Sequence, residues 1–319
     1  MQCFCIYKVR GRNGRIVGYQ FTDGRGDEFR LDAETTKRRI VNGSLEPINL
    51  KLTSDGKLIS YKTEVENSYE ELSARVRRYL VEISTHCNIA FKRFYDMGAA
   101  ISKAKMLGKT VEQFRRIYVI SDNKNILVAS DCGIRLPVDC FAMFQSLVAD
   151  KVSLHGLNGE NVLSFRKAFE GCHINTLDLS GIYGCQPKDL SSMFHSSNIK
   201  NIVFGDFDTS AVGSMSEMFE GFEGDKLSLT GLDTRNCQAM DSMFEECSLE
   251  ELDIRINVNS VKNMNKMFFR ADIPFIDLSS FSPNIACEME IMFGCCSSKI
   301  KANDKRIIQK YNTRNTLIL

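Results

Sequence analysis

The chain has 319 residues, of which 43% are hydrophobic and 25% charged, so it can bury a sizeable core in two or three units. No stretch approaches the roughly 18 consecutive apolar residues that a membrane span needs. The first fifteen residues lack the apolar core of a secretory signal. We therefore expect a soluble cytoplasmic protein without a membrane partner.

Charge is distributed unevenly, although the net charge is only +1. Residues 1–116 hold 22 Lys and Arg against 14 Asp and Glu, a balance of +8. Residues 117–319 hold 19 against 26, a balance of −7. The sequence predicts a basic front and an acidic back.

Residues 1–65 predict a small β-rich domain with one helix. Strand-like stretches CFCIYKV and RIVGYQF flank the turn GRNG, TDGRGDEF predicts a second turn, and INLKLT and LISYK flank SDGK. The segment DAETTKRRIVNG predicts a helix with Asp32 as its N-cap and Gly43 after its end.

Residues 66–116 predict a basic helical segment. Ser68 and Glu71 fit a capping box that opens a first helix, and a second helix is predicted through NIAFKRFYDMGAAISKAKM. A further capping box, Thr110 and Gln113, precedes VEQF. Residues 117–137 predict a hairpin, Ile117 to Ser130, that covers the open end of the C-terminal segment.

The C-terminal segment, residues 138–319, is periodic. A Met-Phe pair, or a close variant of it, recurs seven times, and successive phenylalanines are separated by 25, 25, 25, 25, 24 and 25 residues. The phenylalanines of these seven copies are Phe144, Phe169, Phe194, Phe219, Phe244, Phe268 and Phe293. Self-similarity at a fixed period predicts stacked repeats.

Each copy predicts a short strand and a short helix. Six copies carry an alternating apolar pair after the phenylalanine, which is typical of a strand with one buried face. These pairs are Val152/Leu154, Leu177/Leu179, Ile202/Phe204, Leu227/Leu229, Leu252/Ile254 and Ile276/Leu278. The spacing of Met215, Met218 and Phe219 fits about two helical turns. The seventh copy has only Ile300 at this place and predicts a cap.

The repeated pattern L-D-L-x-x-F-D-T-S-x-V-x-x-M-x-x-M-F-x-G-C resembles the leucine-rich repeats of the BspA-like bacterial surface proteins. Residues 202–222, IVFGDFDTSAVGSMSEMFEGF, come closest to it. The resemblance covers roughly residues 138–300. It implies a leucine-rich-repeat fold and a partner-binding or adhesive role, commonly after export, whereas this chain shows no export signal.

Taken together, these features predict an α/β fold. We expect residues 138–319 to form a leucine-rich-repeat solenoid of about seven 24–25-residue repeats with a C-terminal cap. The solenoid comes after a small β-rich α+β domain, a helical segment and a capping hairpin.

Chemistry-bearing motifs are sparse, and we expect no enzyme, no cofactor and no metal site. The twelve cysteines include no C-x-x-C, so buried free thiols are the favoured interpretation. His86 and Cys87 are adjacent in sequence but point to different sides of a helix, which disfavours a nucleophile pair.

The strand geometry predicts a partner-binding strip on the solenoid. Residues between and just beyond the buried pairs should point outward and stack into columns. They are Ser153, His155, Asp178, Ser180, Val203, Gly205, Ser228, Thr230, Asp253, Arg255, Asp277 and Ser279. The strip is small and mildly acidic, which favours a basic protein partner such as a nucleic-acid-handling protein.

A basic set in the front could instead contact nucleic acid or the partner. It comprises Lys37, Arg38, Arg39, Arg75, Arg77, Arg78, Lys92 and Arg93. A solvated helix face is the plainer interpretation of these charges.

The leading hypothesis is a non-enzymatic intracellular interaction module, either an adaptor or an inhibitor. By analogy, one version is an inhibitor of a host nucleic-acid enzyme, carried by a mobile element in bacteria or phage. The alternatives are a nucleic-acid-binding protein that uses the basic front and a non-classically exported surface adhesin. Oligomeric state is left open.

Overall fold

A computed structural model describes residues 2–10, 16–23, 28–42, 44–47, 50–52, 58–60, 69–94 and 96–313. The fold is mixed α/β and consists mostly of strands, with four helices among those residues. The chain divides into two compact units. The first unit is Met1–Glu71 with Phe91–Arg135, and the second is Leu72–Ala90 with Leu136–Leu319.

The elements are named in chain order. The helices are α1 (Ala33–Val41), α2 (Ala74–Ile83), α3 (Met97–Met106) and α4 (Lys305–Asn312). The strands up to the first copy are β1 (Gln2–Arg10), β2 (Ile16–Asp23), β3 (Glu28–Asp32), β4 (Glu46–Pro47), β5 (Leu50–Leu52), β6 (Leu58–Ser60), β7 (Tyr69–Glu71), β8 (Asn88–Arg93), β9 (Thr110–Phe114), β10 (Ile117–Ser121), β11 (Asn125–Ser130) and β12 (Gly133–Arg135). The strands of the copies are β13 (Val148–Ser153), β14 (His173–Asp178), β15 (Asn198–Val203), β16 (Glu223–Ser228), β17 (Ser248–Asp253), β18 (Phe275–Leu278) and β19 (Lys299–Ala302).

The beginning of the first unit confirms the predicted pairings. β1 is antiparallel to β2, β2 to β3, and β5 to β6. The predicted turns at 11–15, 24–27 and 53–57 lie outside the described residues. Helix α1 begins after Asp32, whose carboxylate accepts a hydrogen bond from the Thr35 N–H at 2.8 Å. This is the predicted N-cap. Gly43, predicted to come after the helix, lies outside the described residues, and Asn42 is the C-cap.

The prediction of a helix through residues 88–106 was wrong in its first half. Asn88–Arg93 is strand β8, in which Ile89 and Phe91 are buried and alternate with exposed or half-buried neighbours. This is the two-residue period of a strand. Only α3, capped by Asp96, is helical.

Neither predicted capping box opens a helix. Thr110–Phe114 is strand β9, which pairs antiparallel with β10. Glu71 ends strand β7, and Ser68 lies outside the described residues. Helix α2 begins three residues later, where the Ser73 hydroxyl accepts from the Val76 N–H at 3.5 Å. Its apolar side is buried at Val76 and Leu80. The predicted hairpin of β10 and β11 is confirmed, with Ile117 opposite Ser130.

The second unit contains a parallel ladder whose register has the 25-residue period of the sequence. Val148 pairs with His173 and then Asn198, and Leu227 pairs with Leu252. The first three residues of β8 pair with β13 at the start of the ladder. The predicted apolar pairs are buried, except that Ile202 is half-buried. β18 and β19 form a parallel pair in the last two copies.

The short helices predicted in the copies were wrong, because the Met-Phe segments are runs of tight turns. The Phe194 N–H donates to the Met218 carbonyl at 2.9 Å, and Ser196 N–H to the Glu220 carbonyl at 2.7 Å. Such bonds to the next copy replace the i to i−4 bonds of a helix. Between them, His195 N–H donates to the Ser192 carbonyl at 3.0 Å, closing a turn within the copy.

In the Met-Phe segment of each copy, two residues lie in the left-handed region, two positions before and two positions after the phenylalanine. In copy 3 they are Ser192 (φ 55°) and Ser196 (φ 52°). In copy 4 they are Glu217 (φ 59°) and Gly221 (φ 63°). A left-handed residue interrupts helical geometry, so these two positions set the turns.

The seven phenylalanines stack in the core of the second unit. Neighbouring ring centroids lie 5.2–5.9 Å apart. Each ring is at most 1% exposed. Helix α4 then closes the stack, because the Tyr311 ring lies edge-on to Phe293 at 5.6 Å and its hydroxyl donates to the Ser298 carbonyl at 2.9 Å.

Candidate functional site

The ladder brings the predicted strip residues together along one edge of the strands. Ser153, Asp178 and Val203 lie side by side, as do Ser228 and Asp253. Strip residues therefore lie side by side within β13–β15 and within β16–β17, whereas β15 and β16 are not paired at Val203 and Ser228 within the described residues. Val203 is 37% exposed.

The carboxylates of the strip already form hydrogen bonds or ion pairs with neighbouring side chains. Arg255 Nη2 donates to Asp253 Oδ2 at 2.6 Å, and these hydrogen bonds lower the pKa of Asp253. The Ser180 hydroxyl donates to Asp178 at 2.6 Å. Asp277 accepts from the Ser279 hydroxyl and lies 3.3 Å from Lys301 Nζ. The strip therefore offers a partner fewer open charges than its sequence indicates.

A second acidic region lies at the N-terminal ends of strands β15, β16 and β17, in an open groove of about 460 Å³. We call it the strand groove. It is lined by Asn198, Lys200, Glu223, Gly224, Asp225, Ser248, Leu249, Glu250, Asp272 and Pro274. Four carboxylates thus line the groove against one lysine, and all five of these side chains are exposed.

Two carboxylates of the strand groove lie outside the ion pairs formed by the described residues. Asp225 and Glu250 form no ion pair with any residue that the structure describes. Their neighbour Glu251 is paired with Lys226, and this pair, with a smaller effect of the Glu250 charge, raises the pKa of that lysine. Unpaired exposed carboxylates attract cationic groups most strongly in a concave site.

The pairing of neighbouring strands is reduced at the strand groove. Within the described residues, β15 and β16 pair only at Asn198 and Glu223. At the position after Glu223, Gly224 stands where β14 and β17 carry Ile174 and Leu249. A Cβ on Gly224 would lie 2.9 Å from the Phe222 ring, so that ring takes the place of the missing side chain.

Sequence reasoning missed the strand groove because it began each strand at the alternating apolar pair. The strands begin about four residues earlier, and Asp225 and Glu250 lie on these added residues. The available signal was that these two carboxylates are one period apart.

The predicted basic residues belong to different units. Lys37, Arg38 and Arg39 lie on α1 of the first unit, where Lys37 pairs with Glu34 at 3.2 Å. Arg75, Arg77 and Arg78 lie on α2 of the second unit. Lys92 and Arg93 are half-buried in the first unit. The structure therefore does not gather the eight residues within one unit.

The described cysteine side chains pack mostly as buried core residues. The structure describes the side chains of ten cysteines, and nine of these are buried as expected. Burial raises the pKa of the Cys172 and Cys247 thiols to about 12, which keeps them protonated. In the described part of the chain, no group of three or more His, Cys, Asp or Glu side chains is arranged to hold a metal ion. No helix among the described residues is long and apolar enough to span a membrane.

These features define a repeat-like, β-rich fold with an exposed strand face. A family described as "Mycoplasma protein of unknown function, DUF285" matches residues 138–254 and 188–306, which together cover just over half of the chain. The chain belongs to this family. No curated protein and no solved structure shows significant similarity to the chain.

Proposed function

We propose that residues 138–319 are a leucine-rich-repeat solenoid of the BspA-like type, and that the chain is a non-enzymatic protein-binding module. The 24–25-residue register and the continuous phenylalanine stack support the solenoid. Stacked repeats of this kind usually bind partners along an extended strand face.

The observation that carries the binding role is the strand groove. Its unpaired Asp225 and Glu250 favour a partner with a basic surface, such as a nucleic-acid-handling protein. An adaptor and an inhibitor would use this surface in the same way. The free buried thiols suit a reducing compartment, which supports a cytoplasmic location for this interaction.

Affinity purification from the native cells, with and without nuclease, tests this function. The variant Asp225→Lys with Glu250→Lys reverses the central charges of the strand groove. The matched control, Glu160→Lys with Glu290→Lys, makes the same charge change at exposed positions outside the groove. We expect the wild type and the control to retain a basic protein. The groove variant should capture at least tenfold less of it.

A second comparison separates the groove from the predicted strip. Asp178→Asn, Asp253→Asn and Asp277→Asn together should reduce capture less than the groove variant, because these carboxylates already have partners. Equal capture by wild type and groove variant would remove the strand groove from consideration. Recovery of nucleic acid alone, with every protein lost on digestion, would transfer the function to the basic front.

A further inference from the structure

A column of polar side chains runs along the turns of the second unit. It consists of the residue immediately after each stacked phenylalanine, which in copies 1–5 is Gln145, Glu170, His195, Glu220 and Glu245. Gln145 Nε2 donates to Glu170 at 2.8 Å. His195 lies between two carboxylates, with Nδ1 3.4 Å from Glu170 Oε1 and Nε2 3.8 Å from Glu220 Oε1.

The imidazole of His195 has an unsatisfied position. Its Nδ1 is buried and forms no hydrogen bond with any described residue, although Glu170 Oε1 is within ion-pair distance. The lone pair of an unprotonated nitrogen repels a carboxylate, whereas both nitrogens of a protonated imidazole donate. Both nitrogens of His195 face a carboxylate of a neighbouring copy.

Glu220 is the second group in the column that can hold a proton. Burial and the charge of Glu217 raise its pKa to about 7 from an ordinary 4.5, and Glu245 and Glu246 add to this rise. Lys266 acts in the opposite direction and is itself paired with Glu245 at 3.3 Å. The charged or titratable groups that face Glu220 are His195, Glu217, Glu245, Glu246 and Lys266.

The neighbouring acids are better compensated. Glu170 is paired with Lys167 at 2.7 Å, Glu217 accepts from the Ser192 hydroxyl at 2.8 Å, and Glu246 is paired with Arg270 at 2.8 Å. An added proton therefore relieves most repulsion at Glu220.

We propose that the Glu170–His195–Glu220 column is a proton-dependent clamp that ties copies 2, 3 and 4 together. Protonation neutralises Glu220 among its acidic neighbours and beside His195. This strengthens contact between adjacent turns. Loss of the proton loosens the same turns.

The direction of the pH dependence comes from the raised pKa of Glu220. The folded chain binds this proton more tightly than the unfolded chain does. The resulting stabilisation is fully present below pH 4.5 and is lost as the pH rises through about 7. The second unit should therefore be more stable at pH 6 than at pH 8.

Thermal unfolding of the full chain at pH 6 and pH 8 tests the clamp. We expect the midpoint for the second unit of the wild type to be about 2–4 °C higher at pH 6, the shift that a stability change of about 1 kcal/mol produces in a unit of about 200 residues. Glu220→Gln should abolish most of this difference, and His195→Gln should reduce it. Glu290→Gln, an exposed glutamate on the turns of copy 7, should retain it in full.

Hydrogen exchange gives a local readout, and it remains available if one variant folds poorly. After correction for the intrinsic pH dependence of exchange, amides of residues 190–222 should be more protected at pH 6 than at pH 8 in the wild type. Equal protection at the two pH values, or parallel melting profiles for wild type and Glu220→Gln, would contradict the clamp.

Discussion

At the scale of the residue, the stacked phenylalanines distinguish this chain from a fold held by its strands alone. Phe219, Phe244 and Phe268 stack almost in parallel, with interplanar angles of 6° and 4°. Each ring fills the space between two neighbours in a fully buried row, so a truncated ring leaves a cavity that touches both neighbouring copies.

We predict that Phe244→Ala lowers the free energy of unfolding by about 3–5 kcal/mol, the usual cost of truncating a buried aromatic ring. Phe269→Ala is the matched control, because its ring is half-buried and lies under Lys266 and Arg270. That control should cost about 1 kcal/mol or less. Denaturant unfolding measures both values, and equal losses would contradict the central role of the stack.

At the scale of the element, the turns depend on their left-handed residues. Gly221 occupies such a position with φ +63°, whereas Ser196 occupies the equivalent position in copy 3 with φ +52°. A non-glycine residue costs roughly 1–2 kcal/mol in this conformation. A Cβ on Gly221 would also lie 3.1 Å from the Ser196 hydroxyl.

We predict opposite effects at these two equivalent positions. Gly221→Val should destabilise the chain by more than about 1 kcal/mol, because a β-branched residue is strained at positive φ. Ser196→Gly should leave the stability equal to or above that of the wild type, since relief of strain offsets the entropy of glycine. Thermal melts of the two variants check this. A loss of stability in Ser196→Gly comparable to that in Gly221→Val would show that backbone conformation does not control the turns.

The sequence predicted the strands of the copies correctly, but it predicted short helices where the structure has tight turns. This difference has a physical reason. Leu227 and Leu229 alternate, and alternation has few explanations other than a strand. Met215, Met218 and Phe219 recur at helical spacing, yet two successive tight turns bury the same positions. Nothing in the composition of one copy separates these two conformations, because the deciding hydrogen bonds go to the next copy.

The candidate site was predictable in the same partial way. Strand geometry implies outward columns, so the placement of Asp178 and Asp253 was anticipated. The sequence could not show that Ser180 and Arg255 occupy those carboxylates. It also could not show that Asp225 and Glu250 form no ion pair with a described residue, because the side-chain partner of a surface charge depends on the full three-dimensional neighbourhood.

At the scale of the second unit, each copy forms hydrogen bonds mainly with its two neighbours. The stability of each copy should therefore depend on the copies beside it. Helix α4 covers the last copy. Its Ile307 is fully buried, while the adjacent Ile308 is 38% exposed.

We predict that Ile307→Ala frays the stack from its C-terminal end. Hydrogen exchange should accelerate in residues 275–302 and remain close to wild type in copies 1–3, since only the last interface loses contacts. Ile308→Ala is the matched control and should leave all copies unchanged. Uniform acceleration along the second unit would mean that it unfolds as a single cooperative block.

The spacing of the parallel ladder also limits how a partner can be recognised. Neighbouring strands lie about 4.8 Å apart, whereas side chains on one side of an extended peptide recur about every 6.7 Å. The side chains of a peptide that crosses the strands are therefore displaced by about a further 2 Å from the strand positions at each successive strand. Recognition along the strand groove would then depend on the density of opposite charge, and partners of quite different sequence could share it.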